Sequence, residues 1–173
     1  MTARFLPTGP IPSIHGRMTD PQIEAATVAD ADELTRVYHD AYRENRELGF
    51  PAKAESVAQS EVATWIRENH VFVARVDDAV VGGVRLEETA PDRLKLSRLA
   101  VHGRWKGVGI GSRLLDRAER AARDLGYQEL WLTTPEDHPY LPALYRRRGY
   151  EQTGPYPLEY REYDEIVMEK RLR

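Results

Sequence analysis

Residues 94–112 constrain the chain more than any other stretch. Residues 94–101 read as a strand and 102–106 as a short basic loop. Gly107, Gly109 and Gly111 then open a helix that runs to about Leu125. Glycines at alternate positions permit left-handed turns and close backbone approaches that side chains would block. The first amides of a helix lack intrahelical acceptors and lie at the positive end of its dipole. Together these features make a cradle for an anion, most naturally a phosphate or pyrophosphate. A further β-rich run, 129–134, follows, so residues 94–134 form a βαβ unit whose two strands are expected to be parallel and close.

Two familiar nucleotide folds also pair glycines with a helix start. In a dinucleotide-binding fold the glycines follow the strand directly, whereas here residues 102–106 intervene. A phosphate-binding P-loop ends in Gly-Lys-Ser/Thr, whereas here Lys106 precedes the glycines.

The remaining sequence supplies a mixed sheet. Residues 22–26 read as a short first strand. Asp30, with Glu33 three residues on, predicts a capping box, and Leu34, Val37, Tyr38, Ala41 and Tyr42 recur on one helical face. Gly49 and Pro51 end that helix, and a second is predicted over 57–69. Residues 71–76 and 80–88 form a hairpin on Asp77-Asp78, and Asp92-Arg93 turns into the central strand. After the glycine loop, Leu114, Leu115, Ala118, Ala121, Ala122 and Leu125 form a buried stripe, and Gly126 caps it. A last helix over 139–148, stopped by Gly149, precedes two closing strands at 150–153 and 165–170.

At 173 residues the chain fits one domain, over 21–173. It follows a proline-bearing irregular arm, 1–20, with no apolar core of signal-peptide length. No run approaches the ~20 apolar residues of a membrane span. The net charge of −3 gives no electrostatic case for nucleic acid or an anionic membrane. There is no cysteine, which excludes a thiol nucleophile, a thiolate metal site and a disulfide framework. The five histidines show no metal-ligand spacing, so no metal is expected. A cytoplasmic location is expected. Arg146, Arg147 and Arg148 read as a solvated helix end that complements the dipole.

The order of elements over 22–170 resembles the GCN5-related N-acetyltransferase (GNAT) superfamily. The specific part is residues 101–111, similar to the family's acyl-CoA loop, in which a Gln or Arg is followed three residues on by Gly-x-Gly/Ala. Lys106 stands in the Gln/Arg place, with Gly109 and Gly111 as the pair. A second register, Arg104 with Gly107 and Gly109, also fits, but the first spaces the loop from Val101 as the family does. Residues 143–150 are similar to the family's Leu-Tyr…Gly-Phe/Tyr segment. Its usual Asn and Ala, seven and four places before the tyrosine, are replaced by His138 and Leu141.

The resemblance implies an α+β fold: a mixed, mostly antiparallel sheet of six to seven strands with about four helices on both faces, splayed between its two central parallel strands. It implies acetyl-CoA as co-substrate. Lys106, Gly107, Val108, Gly109, Ile110, Gly111 and Ser112 would bind the pyrophosphate, with a contact from His138. Leu99, Ala100 and Val101 would present backbone groups to the pantetheine arm and polarise the thioester. Tyr145 would touch the sulfur and protonate it as it leaves. The implied activity is acetyl transfer to a primary amine of a small molecule or peptide by direct attack in a ternary complex. A non-catalytic acyl-CoA-binding sensor is the alternative, and a homodimer is allowed by analogy.

Histone-type members carry a glutamate where this chain has Lys95. The proton acceptor is therefore sought elsewhere, in Glu87 or Glu88 or in a water chain; the two glutamates alternate faces, so at most one meets the cleft. The acceptor site is assigned to the first two helices and their connection, with Tyr38, Tyr42, Asn45, Arg46, Glu47 and Phe50 as lining.

Overall fold

Apolar residues at two periods, alternate along strands and three-to-four along helices, build the part of the chain that the computed structural model describes, residues 20–172. Residues 1–19, and so nearly all of the expected arm, lie outside the described residues, as does Arg173.

Strands β1 (Gln22–Ala25), β2 (His70–Val76), β3 (Ala79–Ala90), β4 (Arg93–Val101), β5 (Glu129–Pro135), β6 (Glu151–Pro155) and β7 (Glu165–Arg171) make one sheet. Its order is β1-β2-β3-β4-β5-β7-β6. Only β4 and β5 are parallel; every other neighbouring pair is antiparallel. Helices α1 (Ala31–Glu47), α2 (Gln59–Glu68), α3 (Ile110–Asp124) and α4 (Leu141–Arg147) complete the expected mixed α+β architecture.

Two cores flank the sheet. Leu114, Leu115, Ala118 and Ala122 of α3 are buried against Leu86, Leu94, Leu96, Leu130 and Leu132. Leu34, Val37, Tyr38 and Ala41 of α1 are buried with Val62 of α2 and Val73 of β2. Helix α1 lies so close to β3 that a Cβ on Gly83 would come within 2.6 Å of Leu34 Cδ1, so a side chain there would displace Leu34.

Several local expectations are corrected. Asp30 is the N-cap residue of α1, but its side chain makes no capping bond to that helix. It closes the preceding 3-10 turn, Val28–Asp30, by accepting the Thr27 amide at 2.8 Å, and it holds Arg75 at 2.6 Å. Glu33 instead accepts the Val80 amide at 3.1 Å. Helix α2 starts at Gln59 because a 3-10 turn, Lys53–Ser56, precedes it, and α4 starts at Leu141, after Pro139. Leu125 lies past the last helical turn of α3 and is 51% exposed. Arg148 is not a solvated end. Its guanidinium meets Asp116 at 2.5 Å and the buried Glu119 at 3.4 Å.

The parallel pairing is brief. It joins Arg93 to Glu129, Leu94 to Leu130 and Lys95 to Trp131. From there β4 stays with β3 as far as Val101, and β5 stays with β7 as far as Pro135. The sheet therefore opens into a wedge between the C-terminal halves of β4 and β5. A bulge in β4 opposite Val84 contributes. Arg98 there has φ +54°, a left-handed conformation rare outside glycine. It reverses the strand's facing: Leu94 and Leu96 belong to the α3 core, but Ala100 belongs to the α1 core.

Candidate active site

One side of the wedge is a cleft of about 420 Å³, lined by α1, the β4 edge, the glycine turn and α4. Leu99, Ala100 and Val101 form its strand wall, and Lys106, Gly107, Gly109, Ile110, Gly111 and Ser112 form its basic, amide-rich end. Gly107 and Gly109 have φ of +83° and +85°, and Gly109 is the N-cap of α3. A side chain at either position would be strained, so the glycines set the turn. A helix starting at Ile110 leaves its first amides without intrahelical acceptors, and these face the same cleft.

Helix α1 holds this loop from outside. Asp40 Oδ2 accepts the Gly103 amide at 2.8 Å, and Asp40 Oδ1 lies 3.7 Å from His102 Nε2. The Lys106 ammonium contacts the Glu44 carboxylate and lies 3.4 Å from the Tyr140 hydroxyl. Burial pulls Lys106 down, and these two partners outweigh it, so it stays above the ordinary lysine value. Lys106 thus takes the polar end of the cleft; Arg104 is absent from the lining.

The other side of the wedge is a smaller cleft of about 120 Å³. Its floor is Lys95 to Leu99 on β4 and Leu132 to Pro135 on β5; its walls are Tyr42, Phe50, Tyr145, Arg161, Tyr163 and Glu165. The β6–β7 connection is stapled across its mouth. Arg161 donates to the Pro51 carbonyl at 2.7 Å and also contacts the Tyr163 hydroxyl, which donates to the same carbonyl at 2.9 Å. Phe50 packs edge-on against Tyr163 with centroids 5.2 Å apart.

Asn45, Leu99 and Leu141 line both clefts, so the two meet across these residues. Tyr145 stands on the smaller side. Its ring is buried against Tyr150 with centroids 5.6 Å apart, and its hydroxyl has no hydrogen-bond partner among the described residues. Burial, then the nearby Tyr42 and Tyr140, push that hydroxyl well above the ordinary tyrosine value. It therefore stays protonated at neutral pH.

The comparisons with known proteins decide the family. The model of the acetyltransferase (GNAT) family matches residues 32–150. The chain belongs to the GNAT family. It is 31% identical over 143 residues to an S-alkylcysteine N-acetyltransferase of Bacillus subtilis (strain 168), covering 78% of this chain and 80% of that protein. It is 29% identical over 163 residues to an S-(2-succino)cysteine N-acetyltransferase of the same organism, covering 88% and 97%. Its fold matches yncA of Salmonella typhimurium, solved with its cofactor acetyl-CoA. There the TM-score is 0.75 and the identity 20%, with 90% of this chain and 95% of that one covered.

Within this GNAT chain the expected residues divide. Those of the glycine loop and β4 converge on the larger cleft, except Val108, which is 42% exposed and absent from the lining. Tyr42 and Phe50 line the smaller cleft. Tyr38 does not; it is fully buried and packs edge-on to Trp65 with centroids 5.9 Å apart, behind Tyr42. Arg46 pairs with Glu55 at 2.5 Å, and neither Arg46 nor Glu47 lines a cleft. His138 is a buried cap. Its Nδ1 accepts the amides of Tyr140 and Leu141, and its Nε2 lies 3.3 Å from Asn45 Oδ1. Its ring packs edge-on to Tyr140 with centroids 4.5 Å apart, and it lines neither cleft.

Glu87 and Glu88 also stand apart from both clefts. Glu88 accepts the Tyr127 hydroxyl at 2.5 Å, and Glu87 lies 3.5 Å from Arg85 on an exposed part of β3. The carboxylate that does line the smaller cleft is Glu165, the buried first residue of β7. Nothing in the periodicity of 165–170 marked it, because it reaches the site through the pairing of Glu165 with Pro135.

Proposed function

We propose that this chain transfers an acetyl group from acetyl-CoA to the amine of a small molecule by direct attack in a ternary complex. The observation that carries this reading is the junction of the two clefts at Asn45, Leu99 and Leu141, with Tyr145 lining the smaller of them. A donor can enter from one side of the sheet opening and an amine from the other.

The larger cleft fits coenzyme A by its chemistry. It has an apolar trough along an unpaired strand edge and an end of open amides with one lysine. The amides of the glycine turn and α3 would hold the pyrophosphate, assisted by Lys106. The edge of β4 beyond Lys95 has no β5 partner, which leaves backbone groups near Leu99 and Val101 to align the pantetheine arm. Acetyl-CoA supplies the activated thioester. The amide near Leu99–Ala100 would polarise its carbonyl. Tyr145 would give its proton to the departing sulfur. Glu165, directly or through water, is the proton acceptor for the attacking amine. The two Bacillus subtilis relatives are named for cysteine-derived acceptors, which supports a small amine here over a protein surface. The small, stapled mouth of the acceptor cleft supports the same.

The test is thermal melting with acetyl-CoA followed by thiol release across an amine panel. A ligand at ~100 times its dissociation constant stabilises by roughly 2.7 kcal/mol. A shift with acetyl-CoA and none with NAD, together with amine-dependent thiol release, is the expected result. No shift at millimolar acetyl-CoA would sink the reading, and a shift without turnover on any amine would favour a sensor.

A further inference from the structure

The acceptor cleft is cationic in a way the transfer chemistry does not require. Lys95, Arg98 and Arg161 line it, against Glu165 as the one lining carboxylate among the described residues. Glu165 lies 3.7 Å from Arg161 and offsets one of the three cations. Lys95 and Arg98 have no ion pair or hydrogen bond among the described residues. The Lys95 ammonium lies over the rings of Trp131 and Tyr156, at 4.9 and 5.5 Å. The Arg98 guanidinium lies over Trp65 and Tyr42, at 5.4 and 5.9 Å.

Arg98 is the more informative of the two. Strand alternation would send it toward the α3 core with Leu94 and Leu96. Its left-handed backbone turns it to the side of Lys95 and Ser97 instead. A non-glycine residue held in that conformation points to a function that needs it there. Its Nε is buried with no acceptor. So is Thr134 Oγ1, from the opposite strand of the same cleft. Buried polar groups are almost always satisfied, and here Arg98 Nε, Thr134 Oγ1 and Arg161 Nε, all unsatisfied, belong to residues lining one small cavity. Arg85 lies behind, 3.5 Å from Glu87; its guanidinium is held below the ordinary arginine value by burial first and by Arg98 next, and Glu87 offsets them only in part. Crowded cations of this kind are relieved by an anion.

We infer that the acceptor is an amine that also carries a carboxylate, and that Arg98, with Lys95 beside it, binds that carboxylate and sets acceptor specificity. A guanidinium whose aromatic neighbours fix its plane presents two parallel donors to a carboxylate, which a flexible lysine does not. The amine would then project toward Leu99 and Tyr145, where the two clefts meet. This rests on the acetyl-transfer reading above.

The experiment measures kcat/KM by thiol release for S-methyl-L-cysteine, its carboxamide and the decarboxylated amine 2-(methylthio)ethylamine, with the full chain and saturating acetyl-CoA. The free acid is expected to exceed the other two by roughly tenfold to a hundredfold, the range for a charge-assisted hydrogen-bonded pair. Arg98→Asn, a residue that tolerates the left-handed backbone, should bring the acid-to-amide ratio close to one, mainly through the KM of the acid. Arg98→Lys should recover part of the ratio. A fold defect would lower acid and amide together and leave their ratio intact, and that outcome overturns the proposal. Equal or better use of the amide or amine by the unaltered chain also overturns it, while leaving acetyl transfer standing. An acetyl-CoA melting shift with no turnover on any of the three, nor on the common amino acids and their amides, removes the enzyme reading and this inference with it.

Discussion

Asp40 on α1 accepts the Gly103 amide at 2.8 Å, so a helix that lines both clefts also holds the loop leading into the glycine turn. The carboxylate also pairs with Arg43 at 2.9 Å and faces His102. Asp40→Ala removes the anchor and leaves the Gly103 amide to water. A hydrogen bond to a charged group contributes about 1.5–3 kcal/mol; Asp40 is partly solvated, so the lower end applies. The expected outcome is a roughly tenfold weaker acetyl-CoA affinity, read by calorimetry, with a small fall in melting temperature. Unchanged affinity would show that the loop keeps its shape without α1.

Gly109 makes the turn itself. A Cβ there meets nothing within 4 Å, yet φ is +85°. Gly109→Ala is therefore resisted by backbone strain and not by crowding, at about 1–2 kcal/mol. Gly109→Asp adds a negative charge where the cradle is expected to hold phosphate. Alanine should weaken acetyl-CoA binding modestly, and aspartate by at least another tenfold. Equal affinities for the two variants would mean that no anion lies at this turn.

What could be read from the chain follows the range of the interactions involved. The glycine turn, the Asp77-Asp78 hairpin and the α3 stripe as far as Ala122 rest on residues close in sequence, and they appear where local chemistry puts them. The smaller cleft does not. Arg161 and Tyr163 reach Pro51 across most of the chain, and Glu165 arrives by strand pairing with Pro135. No local pattern marks such contacts. Helical spacing correctly put Tyr38 and Tyr42 on one buried face, but it cannot tell which buried residue opens onto a cavity: Tyr42 does and Tyr38 sits behind it. The run of three arginines read as solvent-facing because only the fold brings Asp116 and Glu119 to Arg148.

That cluster supports a stability prediction. Glu119 is 4% exposed and accepts from Lys170 at 2.9 Å and the Tyr150 hydroxyl at 3.1 Å, with Arg148 at 3.4 Å. Glu119→Ala leaves two cations without their shared partner in a buried site. Breaking one side of such a set costs about 3–5 kcal/mol, or on the order of 10 °C in melting temperature for a chain of this size. Glu119→Gln keeps an acceptor for Tyr150 and should lose less. These residues line neither cleft, so the acetyl-CoA affinity of the folded Gln variant should be unchanged. A shift under 1 °C for the Ala variant would remove the network as a determinant of stability.

Tyr145→Phe separates packing from chemistry. The hydroxyl has no partner to lose among the described residues, and the ring keeps its contact with Tyr150. Stability should stay within about 0.5 kcal/mol, and acetyl-CoA affinity within about twofold, since the pyrophosphate end of the donor cleft is untouched. A general acid contributes roughly 10²–10⁴ in rate, so kcat on a working amine should fall by at least a hundredfold. Equal turnover would assign the proton transfer to another group.

His138 gives a pH signature. Burial first, then Lys106, hold its imidazole down to about 4, while Glu44 opposes them weakly. The neutral ring is the one that caps α4, because its Nδ1 accepts the amides of Tyr140 and Leu141. In the unfolded chain the ring titrates near 6.5. Between those values the unfolded state binds more protons, so stability rises with pH: it is complete above about 6.5 and falls as the pH drops toward 4. The contribution is on the order of 2 kcal/mol. His138→Asn keeps an acceptor near the two amides and does not titrate. Urea midpoints taken from pH 7.5 to 4.5 should therefore converge for the two proteins on acidification, or cross, with the unaltered chain losing more. Parallel profiles would mean that His138 protonates in the folded state as readily as in the unfolded one.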